Sequence, residues 1–367
     1  MRILIVSRHK EKYPSRQAPF VTEQAEAIRA LGHEVEYYLV KGSYVKQYFA
    51  LLRKIKEYKP DIIHAHYGLT ACVAELQRIV PVVTTFHNGE THTKYVNFIS
   101  SLCSKLAKHV IYVAPHIRQK LYFKAKSYSI IPCGISLEEC FLMDKAEARK
   151  ELGWDAKKKY ILFGGAFFDL RKNYPLLRSA VELLTNEGVD ELTKERVSEQ
   201  KKDALSIATN TLPDHIKSQN DGWVTINGGE QLGNIVCMEM WKRTRHECML
   251  MMNAADVFAL PTKNEGSPQA LKEAMACNCP IVATDVSDIK YMLGDMSGHW
   301  ILENKRGTQA DWVGDENTID ELAGLLKDAL NFKGRTQGRE RIQEIGYTNE
   351  QIARKIEKIY ESILAHR

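Results

Sequence analysis

The sequence has no apolar run approaching the roughly 20 residues that cross a bilayer as a helix, so no membrane-spanning segment is expected. Its opening, MRILIVSRHK, turns polar after six residues, which predicts no secretory leader and a cytoplasmic chain. Only 11 Pro and 22 Gly occur in 367 residues, which excludes collagen-like and low-complexity classes. The eight cysteines are scattered, and the tightest pair, Cys277-Asn278-Cys279, is one residue short of a C-x-x-C redox or zinc pair. They are expected to be buried thiols. No G-x-G-x-x-G follows the first strand-like run, which argues against a nicotinamide dehydrogenase. No Asp-x-Asp motif is present to hold a divalent ion, and no nucleic-acid recognition motif accompanies the basic residues.

What is present is a globular composition, 44% hydrophobic and 26% charged, in a chain too long for one core. The net charge of +5 hides an asymmetry. Residues 1–130 hold 20 Lys/Arg against 9 Asp/Glu, a balance of +11, leaving 31 against 37, or −6, for the remainder. The first part therefore suits an anionic surface or ligand, or simply carries solvated lysines.

Apolar, Val/Ile/Tyr-rich runs (RILIVS, EVEYYLV, DIIHAH, PVVTTF, HVIYVA, YSIIP) alternate with helix-period segments in the first half. That pattern predicts a parallel sheet covered by helices on both faces. Its first helix is expected to start at Pro19, bury Phe20, Ala25, Ile28 and Leu31, and stop at Gly32. After a polar helical link the alternation restarts near residue 158 with KYILFGG, GWVTING, DVFAL and CPIVAT, so a second sheet is expected. Residues 186–221 are polar and strandless, and read as an extra helical excursion. The segment YTNEQIARKIEKIYESIL predicts a terminal helix behind a Thr348 cap. Two open α/β domains would bring the carboxyl ends of their strands to one cleft, the usual ligand site of such architectures.

The most informative stretch is DVFALPTKNEGSPQALKEAMACNCPIVATD, residues 256–285, which reads strand, loop, helix, strand. Ser267 can cap the helix and Pro268 can take its first position. The first-turn N–H groups of Gln269, Ala270 and Leu271, behind Gly266, then form an anion site suited to phosphate. Glu265 and Glu273 flank it, one in the loop and one on the helix; they can bind a sugar on each side of a diphosphate, or be ordinary solvated charges. His87 follows the strand PVVTTF at its carboxyl end. His64 and His66 share one strand face and, lacking a third ligand in sequence, read as packing residues.

The segment NEGSPQALKEAMACNCPIVATD closely resembles the E-x7-E signature of retaining family-4 glycosyltransferases, and PDIIHAHYG, PVVTTFHNGE, HVIYVAPHIRQKL, IIPCGISLEECF and ILFGGAFFDLRKN fall in that family's order. The resemblance implies the GT-B fold: two Rossmann-like doubly wound parallel-sheet domains facing a cleft. It implies an acceptor-side domain at 1–143, joined by the terminal helix 348–367, and a donor-binding domain at 144–347. It also implies sugar transfer from a nucleotide-sugar to a hydroxyl acceptor with retained anomeric configuration and no metal or other cofactor. In that scheme His87 and Glu265 are catalytic, with His87 under the donor sugar. Glu273 binds the ribose, and Arg171 and Lys172 face the diphosphate, where cations stabilise the leaving group. Gly266 to Leu271 complete the donor site, and Arg16 and Gln17 stand in the first β-α loop as acceptor or loop candidates.

The chain departs from the family pattern at four places. Phe167 stands where many members have an arginine, His87-Asn88-Gly89-Glu90 replaces H-G-x-D, Cys133 and Ser136 replace polar hinge anchors, and the first loop lacks paired glycines. Residues 44–59 pair Val45, Tyr48, Phe49, Leu52 and Ile55 with Lys46, Arg53, Lys54, Lys56 and Lys59, which reads as an interfacial basic helix or as one docked on the sheet. With the basic first domain, this predicts peripheral association with an anionic inner membrane face and a glycan or lipid-linked acceptor in surface polysaccharide assembly. The alternatives are a nucleotide-sugar epimerase on the same scaffold and a non-catalytic nucleotide-sugar binding protein.

Overall fold

The computed structural model describes residues 1–11, 13, 15–186, 225–226, 228–303 and 316–366; the expected excursion at 186–221 lies outside the described residues from 187 onward. The chain divides into two compact units, Met1–Ser136 with Gly346–Arg367, and Leu137–Ile345.

The first unit alternates β1 (Arg2–Arg8), α1 (Pro19–Ala30), β2 (Glu34–Val40), α2 (Tyr44–Tyr58), β3 (Ile62–His66), α3 (Gly68–Glu75), β4 (Val82–Phe86), α4 (Lys94–Cys103), β5 (His109–Tyr112), α5 (Pro115–Lys120) and β6 (Tyr128–Ile130). Its sheet runs β2-β1-β3-β4-β5-β6, with every pair parallel. Successive side chains on a strand point to opposite faces, so β1 feeds two cores. Ile3 and Ile5 pack with Val21, Ala25 and Ile28 of α1, while Leu4 and Val6 pack with Leu51, Ile55 and Tyr58 of α2. Pro19 opens α1, and Gly32, at φ +91°, follows its end. The terminal helix Asn349–Ala365 returns to this unit. Its Ile352, Ile356 and Tyr360 join the α1 core, and Thr348 and Gln351 form a capping box at its start.

On α2 the expected apolar set divides. Ile55 is buried with Leu51 and Tyr58, whereas Val45 and Phe49 are 68% and 60% exposed. The helix docks through its second half because the i, i+4, i+7 positions 51, 55 and 58 form one stripe, from which 45 and 49 are rotated away.

The second unit contains α6 (Lys145–Leu152), β7 (Lys159–Phe163), α7 (Tyr174–Asn186), β8 (Thr225–Ile226), β9 (Gly229–Leu232), β10 (Ile235–Glu239), α8 (Arg245–Ala254), β11 (Val257–Leu260), α9 (Gln269–Ala276), β12 (Ile281–Thr284), α10 (Ile289–Leu293), β13 (His299–Leu302), α11 (Glu316–Asn331) and α12 (Gly338–Glu344). Its sheet is ordered β13-β12-β11-β7-β10-β9-β8. The expected parallel sheet runs from β13 to β10, and one edge adds antiparallel strands: β9 runs antiparallel to β10, and β8 antiparallel to β9. Gly228, at φ +82°, makes the β8–β9 turn, and a Cβ on Gly229 would lie 2.3 Å from the Met238 sulfur. Of GWVTING, Thr225–Ile226 form β8 and Gly228 leads into β9, while residues 222–224 and 227 lie outside the described residues.

The unit boundary also moves, from 143/144 to Ser136/Leu137. Arg339 donates to the Leu137 and Cys140 carbonyls, each at 2.6 Å, and Asn253 holds Phe141 O and Met143 N at 3.0 and 2.9 Å. These bonds tie residues 137–143 to the second unit. Ile135 exchanges backbone hydrogen bonds with Tyr347 and Asn349, which keeps the other crossing in the first.

Candidate functional site

In the second unit the chain leaves β7 through Gly164-Gly165. A Cβ on Gly164 would meet Phe258 at 2.7 Å, and one on Gly165 would meet Lys172 at 2.8 Å. Both glycines border a pocket of about 530 Å³, whose wall also includes Arg171, Trp241 and Ala270. Lys172 Nζ donates to Glu265 Oε1 at 2.7 Å, Arg171 Nη1 lies 3.5 Å from Glu265 Oε2, and Thr262 Oγ1 lies 3.0 Å from Oε1. Lys263 N donates to Arg171 O at 2.9 Å, which staples the β11 loop to the β7 loop and fixes this trio. Glu265 is buried, whereas the Arg171 side chain is half exposed. Phe167 points into the core, stacked on Tyr174 at 3.8 Å, so Arg171 is the arginine of this loop that reaches the pocket.

The helix beyond Glu265 begins one residue later than expected. Pro268 is in the extended N-cap position and offers no cap hydrogen bond, and α9 starts at Gln269. Ser267 does not cap it: its Oγ pairs with Asp288 Oδ2 at 3.3 Å, while Ser287 Oγ donates to Gly266 O at 2.5 Å. The loop 266–268 is thereby held by the start of α10, and Ala270 and Leu271 present first-turn N–H groups that no helical carbonyl can reach. Lys272 N is the first to bond back, to Pro268 O. Glu273, also buried, accepts from Arg245 Nη1 at 2.8 Å, and the same guanidinium reaches Glu139 at 2.5 Å. Burial pushes the Glu273 carboxyl above its ordinary value, against the pull of Arg245.

His87 belongs to the first unit. Its Nε2 lies 3.0 Å from His66 Nδ1, and its ring packs on Phe20 at 4.8 Å and Tyr67 at 5.0 Å. His66 in turn stacks on His64 at 4.5 Å, and His64 reaches Tyr360 OH at 2.5 Å and Thr85 Oγ1 at 2.7 Å. Burial pushes His66 down to about 3 and His64 well below its ordinary value, so both are neutral at neutral pH. Glu90 anchors the His87 turn: its two carboxylate oxygens accept from Gly68 N and His87 N at 3.0 and 3.1 Å, with Asn88 at φ +82° between. The acid of H-N-G-E is thus a backbone clamp. Arg16 sits at φ +57° and Gln17 is buried, donating to Thr22 Oγ1 at 3.2 Å; both precede α1, whose Phe20 touches His87.

Four contributing residues escaped sequence reasoning. Arg245, the partner of Glu273, stands behind a Thr244–Glu247 capping box that was a readable helix start. Trp241 and Phe168 form an edge-on pair at 5.1 Å on the pocket rim, and Asp288 braces the 266–268 loop. Neither belongs to a recognisable spacing.

Two open α/β sheets on one chain, with a glycine-lined loop and a helix start at the second, define the GT-B class. The chain resembles solved structures of that fold: sucrose-phosphate synthase from Thermosynechococcus elongatus (TM-score 0.70, 17% identity, 100% of both chains) and Anabaena HepE in complex with UDP and glucose (TM-score 0.63, 12% identity, 99% of this chain and 100% of that one). Residues 40–139 match Glycosyltransferase Family 4, and residues 158–328 match Glycosyl transferases group 1. A protein named for teichuronic acid biosynthesis, the glycosyltransferase TuaC of Bacillus subtilis (strain 168), is 26% identical over 261 residues. That match covers 66% of this chain and 57% of the relative. The chain belongs to glycosyltransferase family 4.

Proposed function

We propose that this protein transfers a sugar from a nucleotide-diphosphate sugar to a hydroxyl of a glycan or lipid-linked acceptor, with retention and without a metal at the reacting phosphate. One observation carries the reading: a single pocket is walled both by Arg171 and by Ala270 in the first turn of α9, beside Lys172 and Glu265. A diphosphate there meets helix N–H groups and two cations, which are the groups that stabilise charge growing on a leaving phosphate. Glu265, fixed by Lys172 and Thr262, is the carboxylate for the donor sugar, and Glu273 with Arg245 is the ribose side. Trp241 offers the pocket an aromatic face. HepE, solved with UDP and glucose, supports the nucleotide-sugar class.

In the first unit, His87 is the donor-sugar residue, and its neutral neighbours let it hydrogen-bond without adding charge. The acceptor side falls to this unit, with Arg16 and Gln17 in its first loop. The exposed Tyr44, Val45 and Phe49 beside Lys46 and Arg53 suit an anionic membrane face, each cation contributing about 1 kcal/mol there. Among the described residues no helix is long and apolar enough to cross a membrane, so any attachment through them is peripheral. TuaC's name supports surface polysaccharide assembly as the setting.

The test is product analysis with a nucleotide-sugar panel and candidate acceptors, reading the anomeric configuration by NMR. Retained configuration in a donor-plus-acceptor product is expected. A product formed from donor alone would replace transfer by epimerisation, and an inverted linkage would remove the retaining assignment.

A further inference from the structure

Among the described residues, one cluster of metal-ligating side chains lies wholly in the first unit, apart from the donor-side residues. Cys72 and Glu75 stand three apart on α3, hence on one helix face, and Cys103 closes α4, which packs against α3. One ligand atom from each of the three lies within 4.8 Å of the others. Tetrahedral zinc, with bonds of about 2.3 Å to sulfur and about 2.0 Å to oxygen, needs ligand atoms about 3.5 Å apart, so small side-chain movements suffice.

The carboxylate is what separates this cluster from a pair of packed thiols. Glu75 is 1% exposed; its Oε1 accepts from Thr84 Oγ1 at 2.7 Å, and its buried Oε2 has no hydrogen-bond partner. An orphaned buried carboxylate oxygen is unfavourable by more than a neutral group, and it calls for a proton or a cation. Thr84 supplies the outer hydrogen bond that orients a ligating carboxylate. Glu75 also lines a cavity of about 670 Å³, through which an ion and a completing water can arrive. We propose that Cys72, Glu75 and Cys103 bind one thiophilic divalent cation of the zinc class, as a structural clamp between α3 and α4. The two thiolates offset the charge of the ion, the carboxylate leaves the site at −1, and the displaced protons go to solvent. Because Gly68 at the start of α3 holds Glu90, and Glu90 holds the His87 backbone, the clamp stiffens the support of that loop.

The experiment uses the full chain, reduced with a phosphine and stripped of metal, titrated anaerobically with Co²⁺ and then Zn²⁺. The expected result is a single equivalent of cobalt giving tetrahedral d–d bands with thiolate charge transfer, displacement by zinc, and a zinc-dependent rise in Tm. Cys72→Ser and Cys103→Ser should each weaken the charge-transfer band and the Tm rise, and Glu75→Gln should weaken cobalt binding at least tenfold. Cys103, half-buried at a helix end, keeps the test usable should Cys72→Ser fail to fold. Bands that persist unchanged in the Cys103→Ser protein would place the metal on other thiols and overturn the proposal. So would the absence of any band.

Discussion

The carboxyl ends of the two sheets carry opposite electrostatics. In the second unit β7 and β11 end in Arg171, Lys172 and Glu265, with Arg245 and Glu273 nearby, all in ion pairs. In the first unit β3 and β4 end in His64, His66 and His87, stacked rings of which the inner two are held neutral by burial. Under the proposed transfer the difference is functional: the fixed cations of the second unit suit a leaving diphosphate, while the neutral His64 and His66 rings of the first unit back His87.

The comparison breaks most sharply at Glu265. Glu265→Gln should reduce turnover by about 10³-fold, in the range seen when a preorganised charge stabiliser is removed, with an unchanged circular dichroism spectrum. Lys172→Ala should act mainly on donor affinity, raising the donor KM about tenfold or more because a charge-assisted phosphate contact is lost. The same kinetics should survive excess chelator in both the wild type and a Cys72→Ser protein, whose thiol pair is already broken. Loss of turnover restored by manganese in both would place a metal at the diphosphate.

On the neutral side the expected signature is in stability. His64 and His66 have folded values below their unfolded value near 6.5, so the unfolded chain binds more protons as pH falls. Stability should be full above about 6.5 and be lost as pH drops towards about 3, with a slope of at most about 1.4 kcal/mol per pH unit for each ring. Urea titrations from pH 7 to 5 should show this slope, and His66→Asn should reduce it by close to one proton. The smallest effect is on α2. Phe49→Ser should leave turnover on a soluble acceptor unchanged while lowering sedimentation with anionic vesicles at low salt, and wild-type binding should fade as salt rises.

Much of the fold was legible because parallel strands buried on both faces read as unbroken apolar runs, as in RILIVS and PVVTTF. The edge of the second sheet was not, because β9 and β10 lie in a glycine-rich stretch, GGEQLGNIVCME, whose turns mask the strand period. The loop 262–268 could be picked out from its spacing and the helix behind it, yet the braces that shape it, Ser287 and Asp288, come from a separate loop. The cap assigned to Ser267 failed for the same reason: Asp288 competes for its hydroxyl. The position of His87 could be inferred from a strand end, but its stack with His66 and His64 depends on the β3–β4 register, which pairs His66 with Thr85.

The most direct test of the donor site is a thermal-shift series with nucleotide-diphosphate sugars on the wild type and on Lys172→Ala. A donor that binds the folded protein alone stabilises it by about 2.7 kcal/mol at a hundred times its Kd. A donor site at Lys172 requires that at least one nucleotide-diphosphate sugar raise the wild-type Tm and that Lys172→Ala lose most of that rise at the same concentration. An equal rise in both proteins, or no rise with any nucleotide-diphosphate sugar, would contradict it.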